Sequence, residues 1–105
     1  MLEKLHQTTF ADQLDTEFQI IENEKPVCSI QLAEVLEHTN SPVQEAFSLI
    51  FHGPLDCFIP QGLRRLRHGK LGEMDIFLVP VGKKENYFEY EAVFNHLIQP
   101  VQANR

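Results

Sequence analysis

The chain has few cysteines, no tryptophan and no long apolar run, and each scarcity excludes a class of protein. No stretch approaches the ~18 consecutive apolar residues of a membrane-spanning helix. Two cysteines, Cys28 and Cys57, allow one disulfide at most, whereas small secreted domains depend on several. Since neither belongs to a C-x-x-C pair, we expect two free thiols. The first residues lack the charge and apolar pattern of a secretory signal, so a cytoplasmic protein is expected.

What the chain does contain is enough apolar material for one core. It has 105 residues, of which 43% are hydrophobic, and eight are phenylalanine. A chain of this length buries a single core, so we predict one β-barrel-like domain over residues 1–95 and a C-terminal tail over residues 96–105.

Charge is distributed unevenly along the chain, whose net charge is -6. Residues 1–62 contain ten acidic and two basic residues, whereas a short basic run, a candidate basic patch, follows at Arg64, Arg65, Arg67 and Lys70. Such a run can bind an acidic partner or a phosphate. It can equally form cross-strand ion pairs with Glu73 and Asp75, which we favour. An acidic protein with so small a basic run is not expected to bind nucleic acid.

Alternation of apolar and polar residues predicts six strands joined by short turns. This pattern, without βαβ alternation, predicts an all-β fold, a small six-stranded antiparallel barrel or sandwich with a short N-terminal helix. The predicted strands are Glu17–Glu22, Val27–Glu37, Phe47–His52, Gly62–His68, Glu73–Val81 and Tyr87–Asn95.

Three local patterns refine this prediction. The apolar positions of the second strand shift by three between Leu32 and Val35, which indicates a β-bulge. Opposite charges place Arg67 against Glu73 and Arg65 against Asp75 in a hairpin, with Gly72 supplying a positive φ. The fifth strand is apolar on both faces, so we expect both faces to be buried. Residues 38–45 are expected to form a loop.

The predicted helix lies near the N-terminus. Thr9 is the expected N-cap with Asp12 at N3, so the helix would cover residues 9–14, and Leu5 would pack against its first turn. We expect a core that draws on the inward faces of four strands, made of Phe47, Leu49, Phe51, Leu66, Ile76, Leu78, Phe88, Tyr90 and Phe94.

No pattern of reactive residues predicts an enzyme. The histidines and cysteines do not lie at metal-ligand spacing, so neither a metal nor a cofactor is expected. Glu89 and Glu91 share a strand face, which is more typical of surface ion pairs than of an acid–base pair. No serine lies in a G-x-S-x-G context, and there is no glycine-rich phosphate loop.

The connection from His52 to Gly62 is the candidate interaction site, because Leu55, Phe58 and Ile59 stand there among turn residues. These three side chains either fold back to close the barrel end, which we favour, or form an exposed patch for a partner.

Three stretches carry a resemblance to a known family. They are FSLIFHGPLD at 47–56, GEMDIFLVPVG at 72–82 and YEAVFN at 90–95, the last being the most specific. With Leu2–Leu5 and Thr9-Phe10, they resemble a family of small bacterial domains of unknown function over about residues 1–95. The resemblance implies genes beside phage-tail-collar proteins similar to microcystin-dependent protein, and it implies no catalytic residues. Arg64 and Arg67 depart from it, since an aromatic and an acidic residue are expected there.

Together these observations favour a non-enzymatic accessory or protein-interaction domain, linked to a phage-tail-like or surface-appendage component. The alternative is a carrier that holds a small apolar ligand in the barrel mouth. The identity of the partner and the oligomeric state stay open.

Overall fold

The computed structural model describes residues 6–97 and is dominated by antiparallel strands, as predicted. One short helix precedes six strands along the chain. The elements are α1 (Gln7–Ala11), β1 (Glu17–Glu22), β2 (Lys25–Asn40), β3 (Gln44–Gly53), β4 (Gly62–His68), β5 (Gly72–Lys83) and β6 (Phe88–Leu97).

The six strands form one closed antiparallel barrel in the order β1-β2-β3-β6-β5-β4, and β4 pairs back with β1 to close it. Closure leaves each strand with a neighbour on both sides over part of its length, which limits the edges open to aggregation. β5 changes its partner along its length, since residues 72–78 pair with β4 and residues 79–83 pair with β6.

Tight turns account for two of the hairpins. Asn23 and Glu24 both have positive φ, at 51° and 66°, which is the backbone of a two-residue hairpin turn. The predicted register of the β4–β5 hairpin is confirmed, since Arg67 lies opposite Glu73 and Arg65 opposite Asp75. Gly72 has φ 82°, as this turn requires.

The predicted bulge in β2 is confirmed between Leu32 and Glu34, and a second irregularity lies between Glu37 and Thr39. The expected loop over residues 38–45 is mostly strand, because β2 continues to Asn40 and β3 begins at Gln44. Each of the two bulges shifts the β2–β3 pairing by one residue, and the pairing then continues to Asn40 opposite Glu45.

Inward side chains from all six strands fill the barrel. Of the nine predicted core residues, Phe88 and Phe94 are only half-buried and pack against the core from its ends. The other seven are buried, namely Phe47, Leu49, Phe51, Leu66, Ile76, Leu78 and Tyr90.

The predicted helix boundaries are wrong. The helix begins at Gln7 and ends at Ala11, its N-cap is His6, and Thr9 caps nothing. The cap comes from β3 instead: the Glu45 carboxylate accepts the Gln7 backbone N–H at 2.9 Å and a hydrogen bond from His6 Nδ1 at 2.8 Å. The Glu45 carboxylate, distant in sequence, therefore accepts one of the backbone N–H groups that have no partner within the first helical turn.

The sheet extends past residue 95, where the predicted domain ends. β6 continues through His96 to Leu97, which pair with Glu45 and Gln44 of β3, so two residues of the predicted tail belong to the sheet. The remainder of that tail and the proposed Leu5 contact lie outside the described residues.

Candidate functional site

The expectation that both faces of β5 are buried is wrong. Met74, Ile76 and Leu78 point into the barrel and are buried, but the opposite face lies on the outside, where no element within residues 6–97 covers it. The helix cannot cover this face, because α1 packs against β2 and β3.

The uncovered face forms what we call the outer apolar patch, made of Leu63, Phe77, Val79 and Val81. Leu63 of β4 lies directly opposite Phe77 of β5, and the two are 65% and 50% exposed. Val81, at the β-bulge between Pro80 and Gly82, is 47% exposed, and Val79 between Phe77 and Val81 is half-buried. Single exposed apolar residues are ordinary, but a contiguous group on one sheet face marks an interaction surface.

A charged ladder borders the outer apolar patch at one end. Arg65 Nε donates to Asp75 Oδ1 at 2.7 Å, and Arg67 Nη2 lies 2.7 Å from Glu73 Oε2. The hydrogen bond from Arg65 holds the pKa of Asp75 below its ordinary value, and the one from Arg67 does the same for Glu73. The carboxylates thus stay charged and paired, as the register predicts.

Glu91 borders the same patch on the β6 side and has a different environment. It is the Cα partner of Val79 on one side and of Ile50 on the other, so this half-buried residue stands between two apolar neighbours. Within residues 6–97 it forms no ion pair, whereas Glu89 lies 3.9 Å from Lys84 Nζ. A carboxylate without an ion-pair partner at the edge of an apolar patch favours a cation supplied from outside.

The candidate basic patch is not brought together as a unit. Arg65 and Arg67 project outward into the ladder, but Arg64 alternates to the other face of β4. There Arg64 Nη2 donates to the Pro60 carbonyl at 2.6 Å, and Lys70 lies apart in the hairpin turn.

The candidate interaction residues of the barrel-end segment, 54–61, divide into two groups. Ile59 is 4% exposed and belongs to the core, and its backbone N–H donates to the buried Tyr90 hydroxyl at 3.0 Å. Phe58 is 52% exposed and meets Phe88 edge to face at 5.1 Å, and Leu55 is also exposed. Ile59 therefore closes the barrel end, while Leu55 and Phe58 remain on the surface.

Three of the histidines lie in separate structural contacts, whereas His6 and His96 meet edge to face with ring centroids 6.1 Å apart. His38 Nε2 lies 2.8 Å from Ser48 Oγ, His52 stacks on Tyr87, and His68 is buried beside Phe18. In the described part of the chain, no three histidine, cysteine or acidic side chains gather into a metal-binding group.

The signal for the outer apolar patch was present in the sequence as the two-sided apolar pattern of β5. What the sequence could not give is which face the fold leaves open. That depends on where α1 docks, and α1 is placed by Glu45, 38 positions away from Gln7.

Comparison with protein-family models gives a match over most of the chain. Residues 5–94 match the family model described as Domain of unknown function (DUF6916). Neither the curated proteins nor the solved structures contain a significant match. Separately, no helix within residues 6–97 is long and apolar enough to cross a membrane.

Proposed function

We propose that this chain, which belongs to the DUF6916 family, is a non-enzymatic protein-interaction domain that binds its partner through the outer apolar patch. The observation that carries the proposal is the exposure of Leu63 and Phe77, which lie opposite each other on the outer face of the barrel, with the exposed Val81 at the bulge beyond them. A strand whose sequence is apolar on both faces is normally covered on both. Here a partner would supply the second cover.

The chemistry of the patch suggests what that partner offers. Each Å² of apolar surface removed from water contributes roughly 25 cal/mol, and bulky anchors such as Phe77 carry most of that energy at interfaces. At the edge of the outer apolar patch, Glu91 favours a partner that brings a cation, because that cation would compensate the charge of its carboxylate. We therefore expect an apolar partner surface with a lysine or arginine beside it.

The resemblance to the family makes a phage-tail-like or surface-appendage component of a bacterium the expected partner. We keep the cytoplasm as the expected place of the encounter. Neither nucleic acid nor a membrane is expected as partner. In the ladder the arginines balance the carboxylates, and Glu91 adds a negative charge at the edge of the patch, which disfavours phosphate groups.

The carrier hypothesis receives less support. Fifteen buried apolar side chains form a contiguous core in the barrel interior. The end nearest the barrel-end segment is closed by Ile59 and its hydrogen bond to Tyr90. A ligand would have to displace this packing, so the proposal rests on the outer surface.

Site-specific photo-crosslinking tests the proposal. A photoreactive amino acid at position 63 should give a discrete heterologous crosslink in producing cells, and Phe77→Lys in the same chain should abolish it. The matched control places the photoreactive residue at position 34, exposed on the outer face of β2. Equal crosslinking from both positions, or crosslinks that survive Phe77→Lys, would contradict the proposal. A crosslink to a second copy of this chain would show that the patch joins two copies in a homodimer and does not bind a different protein.

A further inference from the structure

The fold brings together two cysteines that are 29 positions apart. Cys28 lies on β2 opposite Ile20 of β1, and Cys57 lies in the turn that begins the barrel-end segment. Cys28 Sγ is 3.7 Å from the carbonyl oxygen of Cys57, and Cys57 Sγ is 3.6 Å from the carbonyl oxygen of Val27. Each thiol thus contacts the backbone at or beside the other cysteine, which sets the two sulfurs side by side.

Both cysteines are held in place by independent contacts. Cys28 is part of the β1–β2 ladder and packs against the core. Cys57 is fixed by its backbone N–H, which donates to the Pro54 carbonyl at 3.3 Å, and by the anchoring of nearby Ile59 to Tyr90. Two thiols held as neighbours react with each other at a high effective concentration.

We propose that Cys28 and Cys57 are a redox modification site, at which a peroxide converts the two free thiols into one intramolecular disulfide. This site lies at the barrel end and does not depend on the function proposed for the outer apolar patch. It does border Leu55 and Phe58, so the disulfide would covalently tie that surface to β2.

Oxidation of the two thiols by the peroxide takes two steps. The Cys57 thiolate attacks one peroxide oxygen, forming an S–O bond and breaking the O–O bond, and the leaving hydroxide takes up a proton to become water. The Cys28 sulfur then attacks the Cys57 sulfur, forming the S–S bond and expelling the second oxygen as hydroxide. That hydroxide takes the proton lost by the Cys28 thiol. The two sulfurs lose one electron each, and the peroxide gains both.

The environments of the two thiols set this order. Burial, reinforced by the neighbouring Cys57 thiol, raises the pKa of Cys28 to about 12. Since the thiolate is the nucleophile, Cys28 is a poor first target for an oxidant. Cys57 is partly buried as well, but it lies in a turn between the exposed residues Asp56 and Phe58. Cys57 is therefore the residue that meets the peroxide, and Cys28 is the residue that resolves it.

Hydrogen peroxide applied to the folded, full-length chain tests the site. Intact mass under denaturing conditions should show a loss of about two hydrogens, both thiols should become inaccessible to alkylation together, and dithiothreitol should restore them. Peptide mapping should link residues 28 and 57 within one chain. The melting temperature should rise by several degrees, because the new loop constrains the unfolded chain.

Two serine variants separate the roles. Cys28→Ser should stop at a sulfenic acid on Cys57 that dimedone traps, whereas Cys57→Ser should keep its remaining thiol reduced under the same treatment. The double serine variant reports whether either substitution disturbs the fold, through its melting temperature. Disulfide-linked dimers as the main product, or independent oxidation of each thiol to sulfinic acid in the unmodified chain, would overturn the proposal.

Discussion

Thr16 Oγ1 lies 2.8 Å from Nε2 of His68 and fixes the tautomer of that buried imidazole. On the other side of the ring, Nδ1 accepts the backbone N–H groups of Lys70 at 3.0 Å and Leu71 at 3.2 Å. Because Nδ1 must therefore be unprotonated, Nε2 carries the proton and donates it to Thr16. The Thr16 hydroxyl in turn donates to the Gln13 carbonyl at 2.7 Å. One neutral histidine thus ties the β4–β5 turn to the segment between α1 and β1.

This arrangement predicts a pH dependence of stability. Burial, with a smaller effect of the Lys70 charge, lowers the pKa of His68 below its ordinary value of 6.5. At a pH between the two pKa values, the unfolded chain therefore binds a proton at His68 that the folded chain does not bind. The contribution of His68 is therefore full above about pH 6.5 and is lost as pH falls from there toward its folded pKa, with a slope of at most about 1.4 kcal/mol per pH unit.

Urea unfolding of the unmodified chain between pH 7.5 and 5 measures this slope. His68→Asn should remove most of it, since an asparagine oxygen can still accept the two turn amides but does not titrate. His52→Asn, at a partly exposed ring stacked on Tyr87, is the control and should leave the slope in place. An unchanged slope in His68→Asn would show that another group dominates.

His68 also shows which contacts local sequence patterns predict and which they do not. Local patterns predicted the strands, the β2 bulge and the register of the β4–β5 hairpin, because alternation, phase shifts and paired charges act over a few residues. The sequence placed His68 only at a strand end. Its contact with Thr16 spans 52 positions, so it depends on barrel closure and leaves no local trace.

The same limit applies to the candidate site. Residues 55, 58 and 59 have similar apolar character, so the sequence could not separate the buried Ile59 from the exposed Phe58. Tyr90 separates them, because its hydroxyl accepts the Ile59 N–H from the far side of the barrel end. The exposed face of β5 was likewise visible as a pattern but not as a surface.

Removing the Tyr90 hydroxyl should destabilise the barrel. Tyr90→Phe leaves the buried Ile59 N–H without its acceptor, and an unsatisfied buried donor costs about 1–3 kcal/mol. Tyr87→Phe is the matched control near the start of β6, where the ring stacks on His52, and it should change stability little. Chemical denaturation of both variants provides the comparison, and equal losses would contradict the role given to the Tyr90 hydroxyl.

Adjacent substitutions in the barrel-end segment should have unequal effects. Ile59→Ala empties a buried site and should lower the free energy of unfolding by about 2–5 kcal/mol. Phe58→Ala removes a half-exposed ring and should lower it by about 1 kcal/mol or less. Thermal melts of the two variants measure the difference. A larger loss in Phe58→Ala would mean that Phe58, not Ile59, closes the barrel.

Neighbouring residues of β5 should respond in opposite ways to a lysine. Phe77→Lys places the charge on the outer apolar patch and should change the free energy of unfolding by about 1 kcal/mol or less. Ile76→Lys places the same charge in the core, where no partner compensates it, and should prevent folding. Circular dichroism distinguishes the outcomes. Unfolding by Phe77→Lys would mean that the outer face is needed for the fold itself.

Glu45 holds the start of α1 with its two carboxylate oxygens, which accept hydrogen bonds from His6 and Gln7. Burial raises the pKa of this carboxyl, but the hydrogen bonds from His6 and from the Gln7 N–H outweigh it, and the net pKa lies below 4.5. Glu45→Gln removes the charge and one of the two acceptor oxygens, so the helix start loses a charge-assisted bond, at a cost of about 1–3 kcal/mol.

The loss should be local before it is global. Phe10 is fully buried and contacts the rings of Phe18, Phe47 and Phe94, so α1 stays docked by packing while its first turn loosens. Hydrogen exchange should therefore accelerate at the amides of residues 7–11 while the β1–β2 and β4–β5 ladders keep their protection. Glu34→Gln, at an exposed carboxylate of β2, is the control. Uniform acceleration across the sheet would mean that Glu45 supports the barrel as a whole, whereas acceleration confined to α1 identifies it as the helix cap that the sequence had assigned to Thr9.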